Sequence, residues 1–251
     1  MADLLVDDSG PVARITLNRP DKRNPLGPTT CGELVEAFAQ MAVRAEIRVV
    51  VLTGAGTAFS AGGDLSAMQG QGGPTATFVE LFETMHELGK PIIAMVNGSA
   101  LAGGMGLAVA CDLVVAADTA TFGTTEIAVG LWPMMITAEI TRSVGRKKTL
   151  EMMLTGARLT APQALACGLV TRIAPAAELE AETMKLATEL ADKSPAAIAL
   201  GLHAFYRSQD MDLGPQLRYL QGELGKVLAL EDAREGIAAF LGKRKPVWKG
   251  R

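Results

Sequence analysis

Two glycine-rich segments carry backbone N–H groups that could bind a developing negative charge. They are residues 58–65, AFSAGGDL, and residues 97–106, NGSALAGGMG. Glycine permits positive φ and a close approach of the backbone to a ligand, so each segment could direct N–H groups at an oxyanion. A helix that starts near Gly104 would add the positive end of its dipole to the second. Neither segment reads G-x-G-x-x-G, and taken alone either one is more often an ordinary strand-to-helix connection.

The segments follow the two most apolar stretches of the chain, residues 48–53 and 91–96, which are typical of strands covered on both faces. Strict alternation over 12–18 predicts a half-buried strand, and helical spacing over 29–44 predicts a helix, which together with 48–53 makes a β-α-β unit. A looser repeat follows, with helices at 78–88 and around 107–110 and short strands at 112–116 and 121–122. The first 135 residues are therefore predicted to be α/β.

The C-terminal part is predicted to be mainly helical, because alanine, leucine and glutamate dominate from residue 138 onward. Its longest predicted strand is 169–173. We divide the chain into a core domain, 1–195, and a C-terminal helical oligomerisation region, 196–251. Several of these helices carry apolar side chains that must fold back on the core or pack on another subunit, and we expect a homo-oligomer.

The composition excludes several classes of function. The chain has 251 residues and a formal net charge of −3, which argues against nucleic acid or an anionic membrane surface as a partner. Three widely spaced cysteines and two histidines show no metal-binding or redox spacing, so no metal is expected. The N-terminus lacks the features of a targeting signal and no apolar run could span a bilayer, so a cytoplasmic location is expected.

Ordered motifs along almost the whole chain resemble the crotonase, or enoyl-CoA hydratase/isomerase, superfamily. Besides the two glycine-rich segments, the matching stretches are residues 15–20 (ITLNRP), 24–26 (NPL), 111–113 (CDL), 122–126 (FGTTE), 154–156 (LTG), 164–169 and 243–248 (KRKPVW). The resemblance implies a crotonase-type α/β spiral of repeated ββα units with a C-terminal helical trimerisation region, assembled as a trimer or a dimer of trimers.

The resemblance also implies an acyl-CoA thioester substrate, with coenzyme A as part of the substrate and no separate cofactor. In the family, two backbone amides hold the thioester oxygen, and these align with Ala61 and Gly103. Hydratases of the family use two glutamates. This chain keeps the second as Glu126 and has Gly106 in place of the first, which puts hydration by two carboxylates in doubt and favours double-bond isomerisation by one base.

A wider set of substrate-binding residues is expected from the same resemblance. Lys22, Arg23, Phe240 and Lys243 are assigned to the nucleotide end. Trp132 and Pro133 open a methionine-rich stretch that is expected to form the acyl pocket and to raise the pKa of Glu126 by desolvation. The remaining expected substrate contacts are Ser60, Gly62, Asp64, Leu65, Gly104 and Thr124. A carboxylate at the position of Asp64 more often caps a following helix.

Other functions stay open at this stage. Glu126 alone could activate water for hydration, and decarboxylation, thioester hydrolysis or dehalogenation would need further polar groups. A non-catalytic acyl-CoA-binding scaffold would have no need of both oxyanion segments and Glu126. A peptidase on the related Clp-like fold would need a Ser/His/Asp triad, and neither His86 nor His203 lies in a matching segment.

Overall fold

The computed structural model describes residues 3–64 and 76–251. Within them the chain forms twelve strands and nine α-helices. The strands are β1 Leu4–Asp7, β2 Val12–Leu17, β3 Pro25–Leu26, β4 Val49–Gly54, β5 Ala58–Ser60, β6 Gly62–Gly63, β7 Ile92–Val96, β8 Ser99–Leu101, β9 Leu113–Ala117, β10 Thr121–Gly123, β11 Arg158–Thr160 and β12 Arg172–Ala174. The helices are α1 Pro28–Val43, α2 Phe78–Glu87, α3 Gly103–Val109, α4 Ile136–Thr155, α5 Ala161–Ala166, α6 Leu179–Ala191, α7 Pro195–Ser208, α8 Leu213–Ala229 and α9 Glu231–Leu241.

The strands form three sheets. The largest has the order β1-β2-β4-β7-β9-β12, and its central strands are parallel. A second sheet, β11-β10-β8-β5, stands beside it, and β3 pairs with β6 in a short parallel ribbon. Each apolar strand of the main sheet thus continues into a short strand of a smaller sheet, as β4 does into β5 and β7 into β8. The glycine-rich segments lie at these crossings.

The core explains why the central strands are nearly continuous apolar runs. Every residue of β4 and of β7 is buried. On one side α1 presents Leu34, Phe38 and Met41 to the core, as its helical spacing predicts. Burial on both faces is the expected environment for such strands.

The helix and strand predictions for the core are confirmed within one or two residues for 12–18, 29–44, 48–53, 78–88, 91–96, 112–116 and 121–122. The helix around 107–110 is longer than predicted and begins at Gly103. Both glycine-rich segments were expected as turns, and each contains short strands, β5 and β6 in the first and β8 in the second. Strands of only two or three residues are too short to show a detectable periodicity.

The C-terminal region is helical as predicted, although the strand expected at 169–173 forms only at Arg172–Ala174. The proposed division at residue 195 falls where α7 begins. Large apolar side chains of α8 and α9 are exposed in the single chain, among them Leu213, Leu217, Phe240 and Leu241. None of the described helices combines the length and apolar character that crossing a bilayer requires.

Candidate active site

A cavity of about 340 Å³ opens where the two glycine-rich segments meet. Its floor is backbone from both segments, and its walls come from α2, from the 3-10 helix Thr125–Val129 and from the loop that leads into α4. The lining residues are Ala61, Gly63, Phe78, Ala102, Gly103, Thr125, Glu126, Val129, Leu131, Trp132, Pro133, Met134, Met135 and Ile136. The surface is mainly apolar, and Glu126 is the one ionisable side chain among these described residues.

A buried asparagine holds the first segment in place. The side-chain amide of Asn24 donates to the carbonyls of Ala55 and Ala58, at 2.9 and 2.8 Å. The Ser60 hydroxyl donates to the Asn24 carbonyl at 2.7 Å and accepts the Gly62 N–H at 3.1 Å. Because Ser60 is fully buried and both of its bonds stay within the protein, it supports the segment and does not contact substrate. Its predicted substrate contact is therefore wrong.

The predicted oxyanion donor of this segment is also wrong. The Ala61 N–H already donates to the Arg23 carbonyl at 2.8 Å. Leu26 pairs with Gly63, and the Leu26 carbonyl accepts the N–H of Asp64 at 3.0 Å. In a parallel ladder this pattern turns the N–H of the intervening Gly63 away from its partner strand. Gly63 lines the cavity, so its amide is the one available to a ligand.

In the second segment a backbone amide is left free in a different way. Ala102 has φ 51° and ψ −131°, a rare conformation for a residue with a Cβ, and its N–H donates to the Gly123 carbonyl at 2.7 Å. Gly103 follows as the first residue of α3, where backbone N–H groups have no partner within the helix. A Cβ on Gly103 would lie 2.6 Å from Cζ of Phe78, which covers this end of the cavity.

Two glycines let the segments touch. Gly62 has φ 97°, and a Cβ there would lie 2.6 Å from Cβ of Ala102 and 3.1 Å from the nitrogen of Gly103. A Cβ on Gly104 would lie 2.6 Å from Oγ of Ser60. Gly62 and Gly104 were expected to bind substrate. Neither lines the cavity, and their role is to allow the close packing that brings the Gly63 and Gly103 amides to one place.

Glu126 lies in the 3-10 helix beside these amides and is half-buried. Its Oε2 atom is buried and has no hydrogen-bond partner among the described residues. Burial raises the pKa of the Glu126 carboxyl above its ordinary value, and a backbone hydrogen bond opposes this effect only in part. Trp132 and Pro133 line the same cavity, and burial shifts the pKa of Glu126 in the expected direction.

Isoleucine fills the place that a second carboxylate would occupy. A Cβ on Gly106 would overlap Cγ2 of Ile136 and lie 2.6 Å from its Cβ. Ile136 is buried and belongs to the cavity wall. The absence of a side chain at Gly106 is thus matched by a branched apolar side chain opposite it.

The other predicted contacts that fall on described residues do not line the cavity. Thr124 is buried behind it, and its neighbour Thr125 lines it instead. Asp64 pairs with Arg19 at 3.0 Å, and Leu65 lies outside the described residues. Lys22 and Arg23 are exposed on the turn before β3, and Phe240 and Lys243 are exposed at the end of α9. The single chain does not bring these four residues to the cavity.

Sequence reasoning missed Gly63, Phe78, Ala102, Val129 and Leu131. For Phe78 a signal was available. Thr77 and Glu80 form a capping box, with the Glu80 N–H donating to the Thr77 hydroxyl and the Thr77 N–H donating to Glu80. The spacing T-x-x-E marks a helix start, and it places Phe78 in the first turn of α2.

Comparison with known proteins decides the family. The model of the family described as enoyl-CoA hydratase/isomerase matches residues 7–251. The chain belongs to this family. It is an enzyme of the hydratase/isomerase type with the crotonase fold.

Several relatives cover almost the whole chain. The human protein named enoyl-CoA hydratase domain-containing protein 3, mitochondrial, is 37% identical over 244 residues, which is 94% of this chain and 80% of the relative. A Rhizobium meliloti (strain 1021) protein named "Probable enoyl-CoA hydratase" is 37% identical over 252 residues, with 99% and 98% covered. The crystal structure of an enoyl-CoA hydratase from Mycobacterium smegmatis has a TM-score of 0.91 at 33% identity and covers 99% of each chain.

Proposed function

We propose that this enzyme shifts the double bond of an enoyl-CoA, moving it from the β,γ to the α,β position. Two features of the cavity together support the proposal. Glu126 is the one ionisable side chain among its described lining residues, and Ile136, packed against Gly106, occupies the place where a second carboxylate would lie. Isomerisation needs one base that takes a proton from one carbon and returns it to another. Hydration by two carboxylates needs a second acid, which this part of the site has no room to hold.

The two free amides provide the polarisation. The thioester oxygen accepts the N–H groups of Gly63 and Gly103, which stabilise the negative charge that develops on it. This makes the C2 protons of a 3-enoyl thioester acidic. Glu126 takes one of them, the electrons delocalise into a dienolate, and the same carboxyl returns the proton to C4. The C2–C3 double bond forms as the C3–C4 double bond is lost, with no change in composition.

The environment of Glu126 suits this role. A carboxylate with its pKa raised by burial is a stronger base than a solvated one, and the apolar wall limits the access of water to the dienolate. The Met134 and Met135 side chains can adapt to different acyl chains because thioethers are flexible.

Hydration of a 2-enoyl-CoA is the second candidate, since the relatives carry the name enoyl-CoA hydratase. In this reaction Glu126 would activate water alone. Both candidates use the same amides and the same substrate class, so they differ only in what the carboxylate deprotonates.

We further propose that the tail mediates self-association as a trimer or a dimer of trimers. Exposed apolar side chains on α8 and α9 support this proposal, since a contiguous apolar surface is normally covered. Phe240 and Lys243 lie on this tail and would bind the nucleotide of coenzyme A from a neighbouring subunit, with Lys22 and Arg23 nearby. Sedimentation of the full chain tests the assembly.

The reaction is tested by incubating the enzyme with 3-enoyl-CoA and, separately, 2-enoyl-CoA in deuterated water. Migration of the double bond without added water is expected, and 3-hydroxyacyl-CoA as the main product would contradict the proposal in favour of hydration.

Replacing the base gives the corresponding prediction. Glu126→Gln is expected to lower kcat by about 10²–10⁴-fold, because general-base catalysis contributes that much, while thioester binding is largely kept. Steady-state kinetics and a binding titration measure the two effects. The matched control is Glu189→Gln, an exposed glutamate of α6, which should keep full activity. Unchanged turnover in Glu126→Gln would eliminate Glu126 as the base.

A further inference from the structure

A second cavity, of about 450 Å³, lies at the opposite ends of the central strands from the candidate active site. It is enclosed by the end of α1, the residues that precede β4 and β7, the first turns of α7 and the C-terminal tail. Arg48, Lys90, Lys249 and His203 line it. No aspartate or glutamate is among its described lining residues. The amides of the candidate active site lie beyond the carboxyl ends of the same strands, so the two cavities are separate.

Arg48 is the unusual group in this cavity. It is half-buried, its Nη1 atom is buried without a hydrogen-bond partner, and it takes part in none of the ion pairs found among the described residues. Buried polar atoms are nearly always hydrogen-bonded, and a guanidinium can only donate. The buried Nη1 nitrogen therefore lacks an acceptor.

Lys90 adds a second positive charge beside Arg48. Its Nζ atom donates to the carbonyl of Met41 and, at 2.7 Å, to that of Arg44, so the ammonium group is fixed at the end of α1. Burial lowers the pKa of Lys90, and the neighbouring positive charges of Arg48 and Arg44 lower it further, against the attraction of Glu46. Two cations held this close repel each other unless an anion lies between them.

The nearby carboxylates are already engaged. Glu46 pairs with Arg44 at 2.7 Å, and Glu231 pairs with Lys249 at 3.3 Å. Among the described residues, neither Arg48 nor Lys90 forms an ion pair with a carboxylate, and Lys90 is held by the helix carbonyls instead. The rest of the wall is apolar and includes Ile47, Leu88, Ile198 and Ala199.

We propose that this cavity binds a small amphipathic anion, with its oxyanion group on Arg48 and Lys90 and a short apolar chain against α7. A carboxylate matches the planar guanidinium with two parallel hydrogen bonds, and the apolar wall accommodates a chain of a few carbons. The proposal is independent of the reaction at Glu126, because no residue is shared between the two cavities.

Calorimetric titration of the full-length protein with hexanoate, hexanol and inorganic phosphate tests the proposal. Hexanoate is expected to bind with a Kd on the order of 1 mM or tighter. Hexanol, which lacks the charge, and phosphate, which lacks the chain, should each bind at least tenfold more weakly. Absence of hexanoate binding overturns the site, and equal affinity for phosphate overturns its amphipathic character in favour of a simple phosphate site.

Two variants locate the binding. Arg48→Gln should weaken hexanoate binding at least tenfold, whereas Arg207→Gln, an exposed arginine of α7 outside the cavity, should leave it unchanged. Ala199→Asp places a carboxylate on the cavity wall, where it would pair with Arg48 and Lys90, so this variant should abolish hexanoate binding. If Arg48→Gln fails to fold, Ala199→Asp serves as the test in its place. Wild-type affinity in either cavity variant overturns the proposal.

Discussion

The two amide-bearing segments lie side by side but are built in different ways. In the first, the amide of Gly63 is freed by strand register, because the N–H of Asp64 bonds to Leu26 of β3 and the N–H of Gly63 therefore points away from that strand. In the second, the amide of Gly103 is freed by its position as the first residue of α3. A helix start always leaves its first N–H groups unpaired, whereas a strand frees alternate ones.

This difference explains why the amide predicted for the second segment, that of Gly103, lies at the cavity, whereas the amide predicted for the first, that of Ala61, is already hydrogen-bonded to Arg23. In the second segment, any residue at the start of α3 presents a free N–H. In the first, the choice between Ala61 and Gly63 depends on the pairing with Leu26, which a glycine-rich motif does not specify.

Of the changes to the two amides, removal of the Gly63 amide is expected to have the larger effect. Gly63→Pro deletes the N–H, and it should lower kcat/KM by about 10²–10³-fold, the usual loss for one oxyanion donor. Gly63→Ala keeps the N–H, and its Cβ would meet no atom within 4 Å, so it should retain near wild-type kinetics. Equal losses in both variants would show that the amide is not used.

The corresponding change in the second segment is expected to be somewhat smaller. Proline is accepted at the first position of a helix, so Gly103→Pro should remove the N–H without breaking α3. A loss of about 10²-fold in kcat/KM is expected, because the dipole of α3 persists. Gly103→Ala is the matched control, since both variants push against Phe78 and only one lacks the amide. If Gly103→Pro and Gly103→Ala showed the same loss in kcat/KM, the loss would be due to packing against Phe78 and not to the missing N–H.

Filling the second carboxylate position should affect stability more than rate. Gly106→Glu forces a side chain into Ile136 and should lower the free energy of unfolding by about 1–3 kcal/mol, as overpacking of a core does. Adding Ile136→Ala to this variant should recover part of the lost stability, because residues in contact have coupled effects on stability. Denaturant unfolding of both single variants and the double variant measures this, and strict additivity would contradict the contact.

The smallest effects concern the titration of Glu126. A base must be ionised, so kcat/KM should fall as the pH decreases through the raised pKa, with a midpoint above the ordinary value of 4.5. The ionised form is disfavoured in the folded state, so Glu126→Gln should be more stable than wild type at neutral pH. This advantage should disappear below pH 4.5, where the carboxyl is protonated in both states. A pH–rate profile tests the predicted fall in kcat/KM, and unfolding curves at several pH values test the predicted change in stability.

Much of the fold could be predicted because long patterns constrain it. The apolar runs of β4 and β7 and the helical spacing in α1 specify their own structure. The short strands β5, β6 and β8 could not be predicted, since strands of two or three residues pair only because the larger sheet brings them together. Conformations such as φ 51° at Ala102 likewise result from packing around the site.

The site was predicted in its chemistry and less well in its geometry. Glu126, Gly103, Trp132 and Pro133 do line one cavity. Ser60 was assigned to substrate, but its hydroxyl holds the segment in place, which only the buried bond to Asn24 shows. The Gly106–Ile136 contact joins residues thirty positions apart, so the sequence indicated the missing carboxylate but not what replaced it.

The central claim is that the amides of Gly63 and Gly103 polarise the thioester carbonyl. The most direct test is the infrared stretching frequency of a ¹³C-labelled enoyl-CoA thioester carbonyl bound to Glu126→Gln, which is expected to keep thioester binding and to turn over slowly. The bound carbonyl should absorb at lower frequency than the free thioester when Gly63→Ala is added, and much of that shift should be lost when Gly63→Pro is added instead. The same shift in both variants would contradict the claim.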